Sequence, residues 1–377
     1  RARGRDAGES AATVAYPTRA RRRCPAMKMA VQRRWGRGTK LTLALFVLGV
    51  CTVGMAFLPG YQSAGAAAIV ALAVLRFGQG LALGGSWDGL PSLLAMAAPP
   101  ERRGWYAMVG QLGAPLGFVL AASLFAYLYG SLSLAEFLAW GWRYPFCVAF
   151  AINVVALFAR LRLVVGQSYA ELLEEKELEP VGVARLMQDE GGNVVLGAFA
   201  ALASFALFHV VTVFPLSWMS LYSGRSMTGV LGVQIVGALL AVAAVALSGR
   251  LADRVGRRNL LGSMAVLIGL FSLATPWLLG GGELGGNVFL LAGFVLLGLS
   301  YGQASGTVTA NFSARYRYTG AALSADLAWL IGAAFAPLVA LGLSARFGLG
   351  AVTLYLLSGV ACTLAALRIN RMIEQRS

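Results

Sequence analysis

Apolar stretches of about 20 residues recur along the whole length of this chain. Each is long enough to cross about 30 Å of hydrocarbon as an α-helix. The chain has 377 residues, of which 58% are hydrophobic and only 12% are charged. A water-soluble fold of this size cannot bury so much apolar surface. The sequence therefore predicts an all-α multi-pass membrane protein with ten spans, at about 41–58, 67–97, 105–129, 144–164, 193–214, 229–249, 260–279, 287–310, 320–342 and 351–369.

One long polar break divides these spans into four and six. It covers residues 165–192, where five glutamates precede Pro180. We therefore expect an N-terminal membrane group at 36–164, a cytoplasmic loop at 165–192 and a C-terminal six-helix group at 193–377. Residues 1–35 are basic and lack hydrophobic periodicity, so we expect this segment to be disordered.

The positive charge follows the predicted loops. Residues 1–40 hold 12 Lys/Arg and two acids, which is +10 of the net +15. With the N-terminus inside, a further 15 basic residues face the cytoplasm and only Arg143, Arg225 and Arg346 face outward, with Arg76 inside a span. This split obeys the positive-inside rule and fits anionic lipid as a partner. This charge distribution explains the net positive charge without a nucleic-acid-binding function. It also predicts that the protein lies in the cell membrane.

The most specific motif is GRLADRVGRRNLL at 249–261, between spans six and seven. We expect Gly249 and Gly256 to permit a tight turn, and Asp253 to pair with arginine or accept at a helix N-terminus. Such a cluster can form in one conformation and break in another; alternatively the loop only sets topology. The predicted cytoplasmic gate residues are Gly249, Asp253, Arg254, Gly256, Arg257 and Arg258.

This motif resembles the loop signature of the major facilitator superfamily. A weaker copy, Trp35-Gly36-Arg37-Gly38-Thr39-Lys40, precedes the first span and lacks the Asp, so Arg37 joins the gate residues. In that family the signature stands between helices two and three. The resemblance thus implies a major facilitator fold of two pseudo-repeated halves, here with four and six helices and the first two helices absent.

Four further segments resemble the metabolite:proton symporter branch, which includes permeases for α-ketoglutarate, shikimate, citrate and proline/betaine. The branch usually has Glu where this chain has Ser86. The matching segments are RFGQGLALGGSWDG at 76–89, PPERRGWYAMVGQLGAPLG at 99–117, WRYPF at 142–146 and RYRYTGAALS at 315–324.

The predicted substrate-binding residues are led by Arg76. It lies about eight residues into a span, where a guanidinium is costly unless it faces a cavity or a partner. Gln79 shares its helix face, and arginine matches a carboxylate through two hydrogen bonds. A structural ion pair is the alternative. Tyr301 and Gln303 in span eight are weaker candidates for the same cavity.

Three titratable residues inside spans are candidates for proton coupling. Asp326 and Asp88 are carboxylates that a low-dielectric setting can make able to take up and release a proton. Asp88 alternatively pairs with loop arginines of the gate. His209 is the only histidine and titrates near neutral pH, although a lone histidine is more often a packing residue.

Together these features favour a secondary active transporter, not an enzyme. We expect proton-coupled symport of a small polar metabolite, an organic acid or zwitterion, by alternating access, in a monomer of the bacterial inner membrane. No P-loop, metal-ligand spacing or cofactor motif occurs in the sequence. The alternatives are an exporter of the same superfamily and a truncated product that does not transport. An intramembrane enzyme needs paired catalytic groups that one histidine does not supply.

Overall fold

A computed structural model of the chain describes residues 37–86, 98–164, 181–304, 312–313 and 315–374. In these ranges every regular element is a helix. The predicted basic segment 1–35 and Asp88 lie outside them. The main helices are α1 (Arg37–Ala56), α2 (Ala66–Ser86), α3 (Arg103–Ser131), α4 (Tyr144–Val164), α5 (Val183–Ser223), α6 (Met227–Val255), α7 (Arg257–Gly280), α8 (Gly282–Tyr301), α9 (Arg317–Phe347) and α10 (Leu349–Glu374).

Large apolar side chains cover the outer surface of these helices. Trp277 is 76% exposed, Leu338 73% and Phe77 70%. Water-soluble proteins rarely expose such surface, whereas lipid chains solvate it. Within the described ranges, nine helices are long and apolar enough to cross a membrane, and Thr42–Ala56 is a shorter apolar helix. The predicted all-α multi-pass architecture is confirmed, with one of the helices α1–α10 at each predicted span.

Helix α5 starts earlier than predicted and is interrupted. Its first segment, Val183–Ala200, includes residues 183–192, which the sequence had placed in the loop at 165–192. Hydropathy missed this helix because a polar segment can be helical outside the membrane, and the cytoplasmic placement of 165–192 stays a prediction. Asp189 and Glu190 mark this polar turn, and the backbone kinks at Glu190 (φ −135°, ψ 26°).

The polar start of α5 is tied to the segment before α9. The Asp189 carboxylate accepts a hydrogen bond from the Tyr316 hydroxyl, and this bond raises the pKa of Tyr316. Glu190 Oε1 accepts from Ser313 Oγ at 2.5 Å. The Thr319 hydroxyl accepts from the Val181 backbone N–H at 3.0 Å. These bonds hold the last part of the polar break against the C-terminal helices.

Small residues let helices α6 and α8 approach closely. A Cβ on Gly298 would lie 2.6 Å from the Ala241 carbonyl oxygen, and one on Gly237 would lie 2.7 Å from the Phe294 ring. Gly298 and Gly237 are therefore packing glycines between α8 and α6. Because lipid offers no hydrophobic drive between helices, such close contact supplies the dispersion energy that holds them together.

Helices α2 and α4 pack against α1, whereas α3 packs elsewhere. Helix α1 packs against both α2 and α4, and Asn153 Nδ2 of α4 donates to the Leu45 carbonyl at 2.8 Å. Helix α3 instead packs mainly along α6. The α3–α6 pair thus joins the group α1–α4 to the group α5–α10 in the described part of the chain.

The orientation of these helices can be tested by labelling introduced cysteines. In a background without the four native cysteines, Tyr222→Cys and Ala345→Cys lie beside the outward-facing Arg225 and Arg346, and both positions are exposed. We expect a membrane-impermeant maleimide to label both on intact cells. Val255→Cys, which is exposed beside the 249–258 loop, should react only after permeabilisation. Labelling of Val255→Cys from outside would reverse the orientation.

Candidate functional site

The C-terminal end of α6 meets the N-terminal end of α3 through one carboxylate. Asp253 Oδ1 accepts from the Gly104 backbone N–H at 2.6 Å, and Oδ2 accepts from the Trp105 N–H at 3.1 Å. The first N–H groups of a helix have no partner within it, and they carry the positive end of the helix dipole. Asp253 therefore caps α3 from another helix, as expected of a carboxylate that accepts at a helix N-terminus.

Two glycines bring the backbones together at this point. A Cβ on Gly104 would lie 2.7 Å from the Ala252 Cβ, and one on Gly249 would lie 2.8 Å from the Met108 Cγ. The prediction that Gly249 lies in a turn was wrong, because α6 continues to Val255 and Gly249 is a packing glycine. Gly256 does form the turn, with φ +83°, which glycine adopts readily.

Arg257 and Gln303 extend this contact. Arg257 donates from Nε to Gln303 Oε1 at 3.2 Å and from Nη2 to the Arg103 carbonyl at 3.1 Å. Gln303 Nε2 donates in turn to the Gly104 carbonyl at 3.1 Å. We call the set Gly104, Trp105, Asp253, Arg257 and Gln303 the inter-group contact. Gln303, predicted in a substrate cavity with Tyr301, is fully buried and lies in this contact instead.

The remaining predicted gate residues are more dispersed. Arg254 is exposed, and Arg258 lines a groove between α7 and α10. Arg37 begins α1, and its side chain lies outside the described part. Arg250, which the sequence did not single out, places its guanidinium 4.9 Å from the centre of the Trp105 ring. This cation–π contact adds to the attachment of α6 to α3.

A cluster of rings lies between α5, α8 and α9. Phe208 lies 5.5 Å from Tyr301 and 5.2 Å from Trp329 between ring centres, and Phe205 lies 4.9 Å from Trp329. His209 adjoins Phe208 at 5.2 Å. We call these five residues the aromatic group. Tyr301 is thus part of a packed cluster, and its role in substrate binding stays a prediction.

The helices that carry the aromatic group are irregular beside it. Helix α5 is interrupted at Ala201 (φ −113°, ψ 6°) and again at Val213. Helix α9 turns into a π-helix over Leu330–Ala334, directly after Trp329. Broken helices and π-bulges are common at binding sites in transporters, because they free backbone groups at membrane depth. The irregular backbone makes the aromatic group a candidate binding region.

Of the predicted coupling residues, His209 belongs to the aromatic group and Asp326 lies close to it in sequence. His209 Nδ1 is buried, and within the described residues it has no hydrogen-bond partner. Asp326 lies one turn before Trp329 in α9, and its side chain is exposed. A carboxylate exposed within a span is stable only beside water or a polar partner, because lipid cannot solvate it.

Arg76 lies near the middle of α2, ten residues from Ala66 and therefore about 15 Å along the helix axis. Its side chain is exposed, and in the described part of the chain its one hydrogen bond goes to Gln79 Oε1 at 3.4 Å. Gln79 Nε2 donates to the Thr52 hydroxyl of α1 at 2.8 Å. Gln79 thus orients the arginine, as their shared helix face predicted, while the guanidinium keeps most of its donors.

The comparison with known proteins decides the family. The sequence model of the Major Facilitator Superfamily matches residues 25–326. The chain is 34% identical to the inner membrane metabolite transport protein YhjE of Escherichia coli over 350 residues, 91% of this chain and 80% of that protein. The chain belongs to the major facilitator superfamily. The resemblance to its metabolite transporters extends to the shikimate transporter of Escherichia coli, which is 27% identical over 89% of this chain and 77% of that protein.

Solved structures agree on the fold of this major facilitator protein. The proton:xylose symporter XylE superposes with a TM-score of 0.64 and 19% identity, over 89% of this chain and 80% of XylE. At that identity the likeness concerns architecture alone. The relatives and the apolar helices place this major facilitator protein in the bacterial inner membrane as a multi-pass transporter of metabolites.

Proposed function

We propose that this transporter moves a small polar metabolite bearing a carboxylate, coupled to protons, by alternating access. The inter-group contact is the observation that carries the proposal. It joins α3 to α6 through a few hydrogen bonds centred on Asp253, where a small relative movement of the two groups breaks them together. Hydrogen bonds that form and break as a set suit a bistable element at this end of the α3–α6 pair.

Arg76 supports a substrate with a carboxylate. The guanidinium is exposed at membrane depth, and in the described residues no acid pairs with it. An incoming carboxylate would supply the missing countercharge through two parallel hydrogen bonds. The shikimate transporter, a relative of this chain, is named for a substrate with a carboxylate. Organic acids and zwitterions both fit this chemistry.

Asp326 is our first candidate for the proton-coupling group, with His209 second and Asp88 outside the described residues. Asp326 is exposed within a span and lies one helical turn before Trp329, a member of the aromatic group. Protonation removes a charge that lipid or an occluded site cannot solvate. Loading and releasing one proton at Asp326 would therefore change the relative stability of two transporter conformations.

Uptake by proteoliposomes under an imposed pH gradient tests this proposal. We expect radiolabelled uptake of one or more organic acids or zwitterions to rise as the outside pH falls. Asp326→Asn should remove this pH dependence while exchange of preloaded substrate continues, because exchange needs no net proton movement. Glu283→Gln is the matched control, since Glu283 is an exposed acid that pairs with Arg225 at 3.5 Å. It should keep the pH dependence, because exposed ion pairs contribute little.

Two results would contradict the coupling proposal. One is uptake that is indifferent to the gradient in the parent protein. The other is an Asp326→Asn variant whose pH profile matches that of Glu283→Gln. Efflux from preloaded vesicles, measured in parallel, gives the preferred direction and separates an importer from an exporter.

A further inference from the structure

A groove lies between α7 and α10 at the arginine-rich end of the bundle. We infer that it binds the headgroup of an anionic phospholipid. Three arginines line it: Arg258 in the first turn of α7, and Arg368 and Arg371 near the end of α10. The α7–α10 groove is defined by these three with Ser263, Val266 and Leu364, and its volume is about 840 Å³.

The arginines are placed to share one anion. Arg368 and Arg371 are three residues apart on α10, so their side chains leave the same helix face as neighbours. Like charges at this spacing destabilise a helix unless an anion lies between them. Arg258 approaches the same groove from α7. A phosphate group accepts hydrogen bonds from several guanidinium groups at once, which suits this arrangement.

The two α10 arginines of the groove retain donors for a ligand. Within the described residues, Arg368 and Arg371 have no hydrogen bond or ion pair, and both side chains are exposed. The side chain of Glu374, the nearest acid on α10, lies outside the described part. Arg225, near the opposite end of the bundle, provides the contrast: it pairs with Glu283 at 3.5 Å and with Asn287 at 2.7 Å. The α10 arginines therefore retain the donors that a headgroup requires.

The groove changes from charged to apolar along its length. Val266 lies eight residues beyond Arg258 in α7, which is about 12 Å deeper in the membrane. It is 49% exposed, and Leu364 on the facing helix is 36% exposed. Gly262 adds no side chain to this groove, and a Cβ built on it would lie 3.9 Å from Leu367 Cδ1. A phospholipid matches this order, with its phosphate at the arginines and its acyl chains along the apolar walls.

Native mass spectrometry of the purified protein, titrated with single lipids, tests this inference without any transport assay. We expect phosphatidylglycerol to bind more tightly than phosphatidylcholine. Arg368→Gln/Arg371→Gln should weaken phosphatidylglycerol binding by about tenfold or more, since each basic residue near a lipid surface contributes to attraction. Arg368→Lys/Arg371→Lys keeps the charge and should retain most of the affinity.

The matched control is Arg185→Gln/Arg346→Gln. It removes the same charge from two exposed positions outside the groove and should leave binding nearly unchanged. Inorganic phosphate or glycerophosphoglycerol in large excess should not displace the lipid. Equal losses in the two double variants would reduce the effect to diffuse electrostatics. Displacement by inorganic phosphate would indicate a free-anion site, and equal binding of phosphatidylcholine would show that the headgroup is not selected. Each of these results overturns the inference.

Discussion

Replacing Arg76 with glutamine should nearly abolish uptake of a carboxylate substrate. The guanidinium is the cation at the middle of α2, and among the described residues it bonds only to Gln79, so its other donors remain available. A hydrogen bond to a charged group contributes about 1.5–3 kcal/mol, so losing two should lower apparent affinity by more than about a hundredfold. Arg76→Lys keeps the charge but loses the two-pronged geometry, and it should fall between the parent and Arg76→Gln.

Radiolabelled uptake at several substrate concentrations separates these outcomes. The defect should lie mainly in apparent affinity, with each variant present in the vesicles at the level of the parent. Arg346→Gln removes the same charge at a water-facing helix end and should transport normally. If Arg76→Gln matched the parent on every acid of the panel, the arginine would be a structural residue of α2 and the carboxylate proposal would fail.

Most of the fold was predictable from the sequence because the bilayer imposes simple rules on it. A span must be apolar for about 20 residues and must satisfy its own backbone, so length and hydropathy locate the helices. Hydropathy did not predict the start of α5. The segment Val183–Ala200 combines a polar helical turn with a membrane helix, and hydropathy detects only the membrane helix. That the chain divides at 165–192 stays a prediction.

The site was predictable where one residue type implies one chemistry. Asp253 was expected to accept at a helix N-terminus, and it does. Its partners escaped prediction, because Gly104 and Trp105 contribute only backbone N–H groups, which every residue except proline has. The bonds of Gln303 to Arg257 and Gly104 escaped prediction for a related reason: an amide in an apolar span serves equally well in a substrate cavity or in a helix contact. The aromatic group was missed because Phe205, Phe208 and Trp329 are distant in sequence from Tyr301.

Replacing Asp253 with asparagine should weaken the inter-group contact and strongly reduce transport. Both carboxylate oxygens accept backbone N–H bonds, at 2.6 and 3.1 Å. Asparagine has one oxygen and one NH2 group, so one N–H of α3 would face a donor instead of an acceptor. The charge that favours a helix N-terminus is lost as well. Caps of this kind contribute about 1–2 kcal/mol, which shifts a two-state equilibrium roughly 5- to 30-fold.

The direction of that shift provides a second measurement besides uptake. The contact holds α3 and α6 together at this end, so its loss should favour conformations in which this end is open. Met108 is only 2% exposed, and its side chain lies beneath the contact against Gly249. A Met108→Cys reporter in a background without native cysteines should therefore be alkylated faster when Asp253→Asn is present.

Asp189→Asn is the matched control for Asp253→Asn. It removes a carboxylate charge from the polar start of α5, and its hydrogen bond goes to Tyr316, away from α3. It should leave both uptake and Met108→Cys alkylation close to those of the parent. Faster alkylation and reduced uptake confined to Asp253→Asn would identify the contact as a conformational gate. If Asp253→Asn changed neither quantity, the 249–258 loop would serve only to set topology. Slower alkylation would mean that the carboxylate opposes closure at this end.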